Sequence, residues 1–181
     1  MLLGLGKFFK SNKNPDKKFI SNLNSLLGFK IKDTLLFKRA FTHSSTNLED
    51  KHGNVFNYER LEFLGDSILG TIISDHIYSN YSNFDEGELT KLRSKIINRD
   101  SLNKIGFSLK LNTLVKSSIK VDRSSDDING NLLEALIGAI YVEKGFKTCQ
   151  NFVTKKIINN INFNIINKSI ISFKGSLIEW S

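Results

Sequence analysis

The amino-acid sequence predicts an all-α protein of seven to nine helices. Apolar residues recur at intervals of three and four along most of its 181 residues, which is the period of a helix that buries one face. No segment alternates apolar and polar residues as a half-buried strand does, and no internal repeat is evident. Capping residues also stand where several of the periodic segments begin or end. Together these observations favour helices along nearly the whole chain.

Two helices are predicted in the first quarter of the chain. Pro15, the only proline, precedes a segment of helical apolar spacing that stops at Gly28, and glycine is a favourable residue just past the end of a helix. Asp33 can cap the next helix, over 33–45, because its carboxylate can accept hydrogen bonds from the first backbone N–H groups of that helix.

A long helix is predicted from about Asn57 to Ser79, after a polar loop. Asp85 and Glu88 then have the spacing of a capping box, which predicts a helix that begins there and ends near Gly106. Two more helices are predicted over 129–146 and 148–166.

The chain is strongly basic. It contains 26 Lys and Arg against 18 Asp and Glu, which gives a formal charge of +8 and an isoelectric point near 9.5. Such an excess favours a polyanionic partner, as nucleic acid or an acidic membrane surface would be. No apolar stretch approaches the roughly 20 residues that a membrane-spanning helix needs. The sequence therefore predicts a soluble protein with no membrane partner.

Cys149 is the single cysteine. One cysteine excludes an internal disulfide framework and a metal site built from cysteines. A reducing compartment, the cytoplasm, fits this cysteine content best.

Three regions are predicted along the chain. Residues 1–14 are a basic N-terminal arm, and residues 15–167 form one well-packed domain, for which the length is sufficient. A new amphipathic pattern begins in residues 168–181. Because the sequence stops within this predicted helix, the segment resembles the first piece of something larger.

Three acids share one face of the long predicted helix. At about 100° per residue, Glu59, Glu62 and Asp66 fall within roughly 60° of one another, opposite the face that carries most of the leucine and isoleucine side chains. Phe63 projects beside the acids. Gly70 lies on the acidic side one turn beyond Asp66, where it could let another backbone approach.

The predicted helix over 129–146 repeats this arrangement. Glu134 is the lone acid near its centre, with Asn131 one turn earlier and Gly138 one turn later on the same face. If the two helices pack with these faces together, Glu62, Asp66 and Glu134 converge. Such a cluster repels itself unless it is protonated or bound to cations, and its oxygen ligands suit Mg²⁺ or Mn²⁺. A metal ion beside a basic surface indicates hydrolysis of phosphodiester bonds.

Four motifs carry a resemblance to a known family. They are ERLEFLGDSILG at 59–70, FTHSSTN at 41–47, FDEGELTKLRSKIINR at 84–99 and LLEALIGAIYVEKGF at 132–146. In order and approximate spacing they resemble the ribonuclease III family of double-stranded-RNA endonucleases, over about residues 15–165.

The resemblance implies an all-α nuclease domain, which would be 15–167, that forms a homodimer. It would use Mg²⁺ to hydrolyse both strands of duplex RNA and leave 5′-phosphate and 3′-hydroxyl ends, in the processing of rRNA and mRNA precursors. Residues 168–181 would be the truncated start of the double-stranded-RNA-binding domain that usually follows. Basic residues that are candidates for phosphate contact are Lys91, Arg93, Lys95, Lys116, Lys120 and Arg123.

The resemblance also assigns roles to single residues. Glu62, Asp66 and Glu134 would be metal ligands, with Asp66 and Glu134 closest to the catalytic step. Glu59 and Glu86 would support the site, and Phe63 would dock into the partner subunit.

One residue departs from the family pattern. Asn131 stands where the family usually has an aspartate, and its amide oxygen can ligate Mg²⁺ but brings no negative charge. An active enzyme with weakened metal binding is therefore expected. The alternatives are a catalytically silent relative that only binds duplex RNA and an unrelated helical interaction module.

Overall fold

The structure of the protein, a computed structural model, describes residues 15–118, 128–161 and 163. The predictions for residues 1–14, Lys120, Arg123 and residues 168–181 lie outside these ranges. The described residues form seven α-helices and no strand beyond two isolated β-bridges, which confirms the all-α class. The helices are α1 Pro15–Leu27, α2 Thr34–Ala40, α3 Glu59–Asn80, α4 Glu86–Ile96, α5 Arg99–Ser108, α6 Ile128–Lys144 and α7 Phe146–Lys156.

The chain divides into two compact units, Met1–Ile31 and Lys32–Ser181. In the first unit, α1 ends at the predicted glycine. Gly28 has a φ of 76°, a conformation that glycine adopts without strain, and its N–H donates to the Asn24 carbonyl at 2.9 Å.

In the second unit, α6 is the central helix. It contacts α2, α3, α5 and α7, and every residue from Ile128 to Ile140 is buried except Asn131 and Glu134, which are half-buried. A helix that is apolar on all sides is buried by its neighbours. The two polar exceptions therefore mark the one part of this stretch that faces a polar site.

Two predicted helix starts are confirmed by their caps. The Asp33 carboxylate accepts from the Leu36 N–H at 2.9 Å. Asp85 accepts from the Glu88 N–H at 2.8 Å while the Glu88 carboxylate accepts from the Asp85 N–H at 3.0 Å, which is the reciprocal bonding of a capping box.

Three predicted helices are too long. The second ends at Ala40, because the backbone around His43 pairs with Lys116 instead: the His43 N–H donates to the Lys116 carbonyl at 2.9 Å. The helix predicted to end near Gly106 is two helices, α4 and α5. Asn98 separates them, since its side chain accepts from the Ser101 N–H at 2.8 Å and donates to the Lys95 carbonyl at 2.9 Å, and this bonding starts a new helix. The last, predicted over 148–166, is α-helical only to Lys156, where α7 ends and a 3-10 turn over Ile158–Asn160 follows.

In the part of the chain that the structure describes, every helix is too short or too polar to cross a membrane.

Candidate active site

The backbones of α3 and α6 meet at two glycines, Gly65 and Gly138. A Cβ atom added to Gly65 would collide with the carbonyl oxygen of Glu134, and one added to Gly138 would collide with the carbonyl oxygen of Leu61. Only glycine permits such a close approach of two backbones. The contact places the first turns of α3 beside the middle of α6.

Gly138 therefore has the role that the sequence predicted, but Gly70 does not. No atom lies within 4 Å of a Cβ added to Gly70, and Gly65 is the residue of α3 at the contact. A helical projection shows which residues share a face, but it does not show where along that face the second helix crosses.

One cavity collects three of the predicted site residues. Glu62, Asn131 and Glu134 line a cavity of about 170 Å³. Arg99, the first residue of α5, lines the same cavity. The site is thus built from α3, α5 and α6.

Asp66 lies one turn further along α3. It lines a neighbouring groove of about 720 Å³ together with Arg93 of α4. Ile97 lines both the groove and the cavity, so the two spaces adjoin. Asp66 is close enough for its charge to raise the pKa of Glu134. The structure thus places three of the predicted ligands in the cavity and the fourth, Asp66, in the adjoining groove.

The carboxyl groups of the cavity have raised pKa values. Burial raises the pKa of Glu134 to about 7, the Asp66 and Glu62 carboxylates add to the rise, and the Arg99 guanidinium opposes it. Burial also raises the pKa of Glu62, with Glu59 as the next cause. A carboxyl group that is desolvated among other carboxylates holds its proton more tightly.

The raised pKa of Glu134 predicts how the stability of the protein depends on pH without divalent ions. The folded state holds this proton up to about pH 7, whereas the unfolded chain releases it near 4.5. The free energy of unfolding therefore falls as pH rises through this window. Glutamine does not ionise, so Glu134→Gln should not show this decrease in the free energy of unfolding. We expect the decrease to be about 1–2 kcal/mol, allowing for the solvent that reaches a half-buried group.

Urea denaturation in EDTA checks this expectation. The stability of Glu134→Gln relative to the natural protein should increase between about pH 4.5 and about pH 8. An equal difference in stability between the variant and the natural protein at both pH values would contradict the assignment of the raised pKa to Glu134.

Asn131 has a partner that the sequence did not indicate. Tyr58 is 5% exposed, and its hydroxyl lies beside the Asn131 side chain, which lowers the pKa of Tyr58 against the burial that raises it. Tyr58 is itself fixed, because its N–H donates to the Thr42 carbonyl at 2.9 Å. Tyr58 directly precedes the ERLEFLGD motif, but periodicity along α3 cannot identify a partner on α6.

The two predicted supporting acids lie at different places. Glu59 is exposed at the start of α3, and its charge contributes to the raised pKa of Glu62. Glu86 is exposed at the start of α4, where it accepts from the Thr90 hydroxyl at 3.0 Å. It lines a third groove, with Tyr78 among others, and not the cavity of Glu62.

Phe63 is 78% exposed, the largest fraction of any large hydrophobic side chain in the described part of the chain. It occupies the same exposed side of α3 as the acids, as the projection predicted.

Within residues 15–118, 128–161 and 163, no three His, Cys, Asp or Glu side chains are already close enough to hold a metal ion. The carboxylates interact electrostatically across the two spaces without converging on one point. The donor set still fits a hard divalent cation, because it consists of carboxylate and amide oxygens.

The sequence profile of the family described as Ribonuclease-III-like matches residues 33–161. Ribonuclease 3 of Zunongwangia profunda is 45% identical over 171 residues, which are 94% of this chain and 70% of that protein. Ribonuclease 3 of Flavobacterium psychrophilum is 43% identical, over 96% of this chain and 71% of that protein.

A solved structure indicates the same family. The nuclease domain of ribonuclease III from Campylobacter jejuni superposes with a TM-score of 0.70 at 33% identity, over 78% of this chain and 98% of that domain. The matched profile includes α2 to α7, and with them the three helices that build the cavity. The chain therefore belongs to the ribonuclease III family of double-stranded-RNA endoribonucleases.

Proposed function

We propose that this endoribonuclease hydrolyses both strands of duplex RNA in a reaction that requires Mg²⁺, for which Mn²⁺ can substitute. The observation that carries the proposal is the convergence of Glu62, Asn131 and Glu134 on one cavity, with Asp66 in the adjoining groove. The four residues supply three carboxylates and one amide, all of them oxygen ligands for a hard cation. When bound, the cation would lower the pKa of the attacking water and neutralise charge on the scissile phosphate.

The side chains have distinct parts in this chemistry. Glu62, Asp66 and Glu134 would hold the cation as carboxylates, with Asp66 and Glu134 closest to the step that activates the water. In the reaction, the water oxygen bonds to phosphorus, the bond to the 3′-oxygen breaks, and that oxygen takes a proton. The products keep a 5′-phosphate and a 3′-hydroxyl.

Asn131 lowers the negative charge of the site by one relative to an aspartate. Its amide, which lies beside Tyr58, still offers an oxygen, so the oxygen ligand is retained although the charge is not. We therefore propose active hydrolysis with weakened metal affinity. No comparison supports the alternative of a silent duplex-RNA binder.

A homodimer accounts for cleavage of both strands. A two-fold axis supplies a second acidic cluster for the antiparallel strand, and the exposed Phe63 is the proposed contact with the partner subunit. The Campylobacter jejuni nuclease domain has a region involved in dimer formation, which supports this proposal. Glu59 and Glu86 are proposed to support the site from its margins.

RNA recognition is proposed to depend on shape and backbone. Side chains cannot easily read the deep major groove of A-form RNA, so phosphates and 2′-hydroxyls are the accessible groups. Among the predicted basic residues that the structure describes, Arg93 is the best placed, since it lines the groove beside Asp66. Lys91 and Lys116 are exposed and Lys95 is half-buried, and their contacts with RNA remain proposals.

The remaining assignments follow from the same family. We propose residues 15–167 as the nuclease domain, 1–14 as a basic arm and 168–181 as the start of an RNA-binding domain. Precursors of rRNA and mRNA in the cytoplasm are the proposed substrates, and the buried, free thiol of Cys149 suits a reducing compartment.

A cleavage assay tests the proposed function. Long duplex RNA should be cut to fragments with 5′-phosphate ends in Mg²⁺ and in Mn²⁺, and it should stay intact in EDTA. Single-stranded RNA and duplex DNA of the same sequence are the controls. A shifted but uncut duplex in both ions, at salt low enough for binding, would support the silent binder instead.

A further inference from the structure

Arg99 lines the cavity with a solvent-exposed side chain, but it is neither a predicted ligand nor a predicted supporting residue. It is the first residue of α5, and it shares the cavity with Glu62 and Glu134. A guanidinium is always charged, and it fits carboxylates and phosphates equally well through its planar fork of N–H donors. A positively charged side chain needs an explanation in a cavity whose acids are proposed to bind a divalent cation.

The fold places Arg99 firmly. Asn98 caps α5 directly before it, through the hydrogen bond from the Ser101 N–H at 2.8 Å. Further along α5, a Cβ on Gly106 would collide with the Asn129 carbonyl oxygen. The two helices therefore touch at the backbone, and the start of α5 is held against the polar part of α6.

A buried hydrogen bond strengthens the same contact. The Gly130 N–H donates to the Asn103 side-chain oxygen at 2.6 Å, and both residues are buried. Breaking a buried bond of this kind is costly. The position of the Arg99 backbone relative to Asn131 and Glu134 is thus fixed by α5 and α6 together.

The guanidinium interacts with the acids across the cavity. It lowers the pKa of Glu134 and of Glu62, against the burial and mutual repulsion that raise both. In the metal-free protein, Arg99 therefore compensates part of the charge that a divalent ion would otherwise compensate.

We propose that Arg99 is the resident cation of this acidic cavity in the metal-free enzyme, and that it contacts the scissile phosphate when metal and duplex RNA are bound. The inference rests on the proposed function. Once the carboxylates are neutralised by a divalent ion, they no longer attract the guanidinium, and a phosphate becomes its best partner. Arg99 thus competes with metal in one state and stabilises charge on phosphate in the other.

The two roles predict opposite effects of one substitution. Arg99→Gln should bind Mn²⁺ roughly five-fold more tightly in the absence of RNA, because a competing cation near the carboxylates is gone. The same variant should lose about ten-fold or more in kcat/KM on duplex RNA. Calorimetric titration with Mn²⁺ and cleavage at saturating Mn²⁺ measure the two effects separately.

Two further variants serve as controls. Lys104→Gln removes one positive charge from an exposed position on the same helix, so its affinity for Mn²⁺ and its cleavage should match the natural protein. Arg99→Lys keeps the charge but loses the planar fork. It should bind Mn²⁺ as the natural protein does and still cleave more slowly, and it tests the proposal even if Arg99→Gln folds poorly.

Unchanged Mn²⁺ affinity in Arg99→Gln would overturn the resident-cation role, and unchanged cleavage would overturn the phosphate contact. If Arg99→Lys cleaves as fast as the natural protein, the phosphate contact is also wrong. A natural protein that neither binds Mn²⁺ nor cleaves would instead overturn the proposed function, and this inference with it. The natural protein therefore distinguishes the two failures.

Discussion

Glu134→Gln is expected to reduce cleavage of duplex RNA by about a thousand-fold or more. The substitution keeps the size and one oxygen of the side chain, but it removes the negative charge and the capacity to accept a proton. Glu134 is one of only two residues between Ile128 and Ile140 that are not buried, and it interacts with both Asp66 and Glu62. Its charge therefore has no substitute on α6.

Binding of duplex RNA should persist in Glu134→Gln. Phosphate contacts on a basic surface supply most of the affinity, and the variant makes the protein less negative. Gel shifts in EDTA and single-turnover cleavage in Mg²⁺ measure binding and chemistry. Glu49→Gln, the same change at an exposed acid outside the cavity, should cleave normally. Retained cleavage in Glu134→Gln would remove this residue from the site.

Gly65→Ala is expected to destabilise the fold by about 3 kcal/mol or more. The added methyl group would collide with the backbone carbonyl of Glu134 and would lie close to the Gly138 nitrogen. Backbone cannot move aside as a flexible side chain can, so the two helices must separate. Separation would also displace Glu134 from Glu62, and cleavage should fall together with stability.

Gly70→Ala is the matched control on the same helix. Nothing lies within 4 Å of the added Cβ, and alanine is favoured over glycine inside a helix by about 0.5–1 kcal/mol. This variant should be as stable as the natural protein or slightly more stable. Thermal unfolding of both variants tests the contact, and equal stability of Gly65→Ala and Gly70→Ala would refute it.

The helices were predictable because their information is local. A period near 3.6 and the caps at Asp33 and Asp85 depend on residues within a few positions of one another. The same is true of Glu62 and Asp66, which share a face of α3 through their spacing alone. Their convergence with Glu134 needed one more assumption, that the polar faces of two apolar helices meet.

The predicted helix ends were wrong where backbone pairing with a distant residue, or hydrogen bonds from a side chain, ended the helix. Pairing of the backbone near His43 with Lys116 shortens α2. The break at Asn98 depends on local capping bonds that a continuous apolar period conceals. That break has a functional consequence, since it makes Arg99 the first residue of a new helix at the cavity.

By itself the sequence determined the helical class, the acids that α3 and α6 present, and the basic character that favours a nucleic-acid partner. Only the tertiary structure decided that Gly65, and not Gly70, meets α6, that Tyr58 lies beside Asn131, and that Arg99 lines the cavity with the acids. The physical reason is that a helical period specifies angles around one axis. The crossing point of two helices depends on which backbones can touch, and that is a property of both chain segments together.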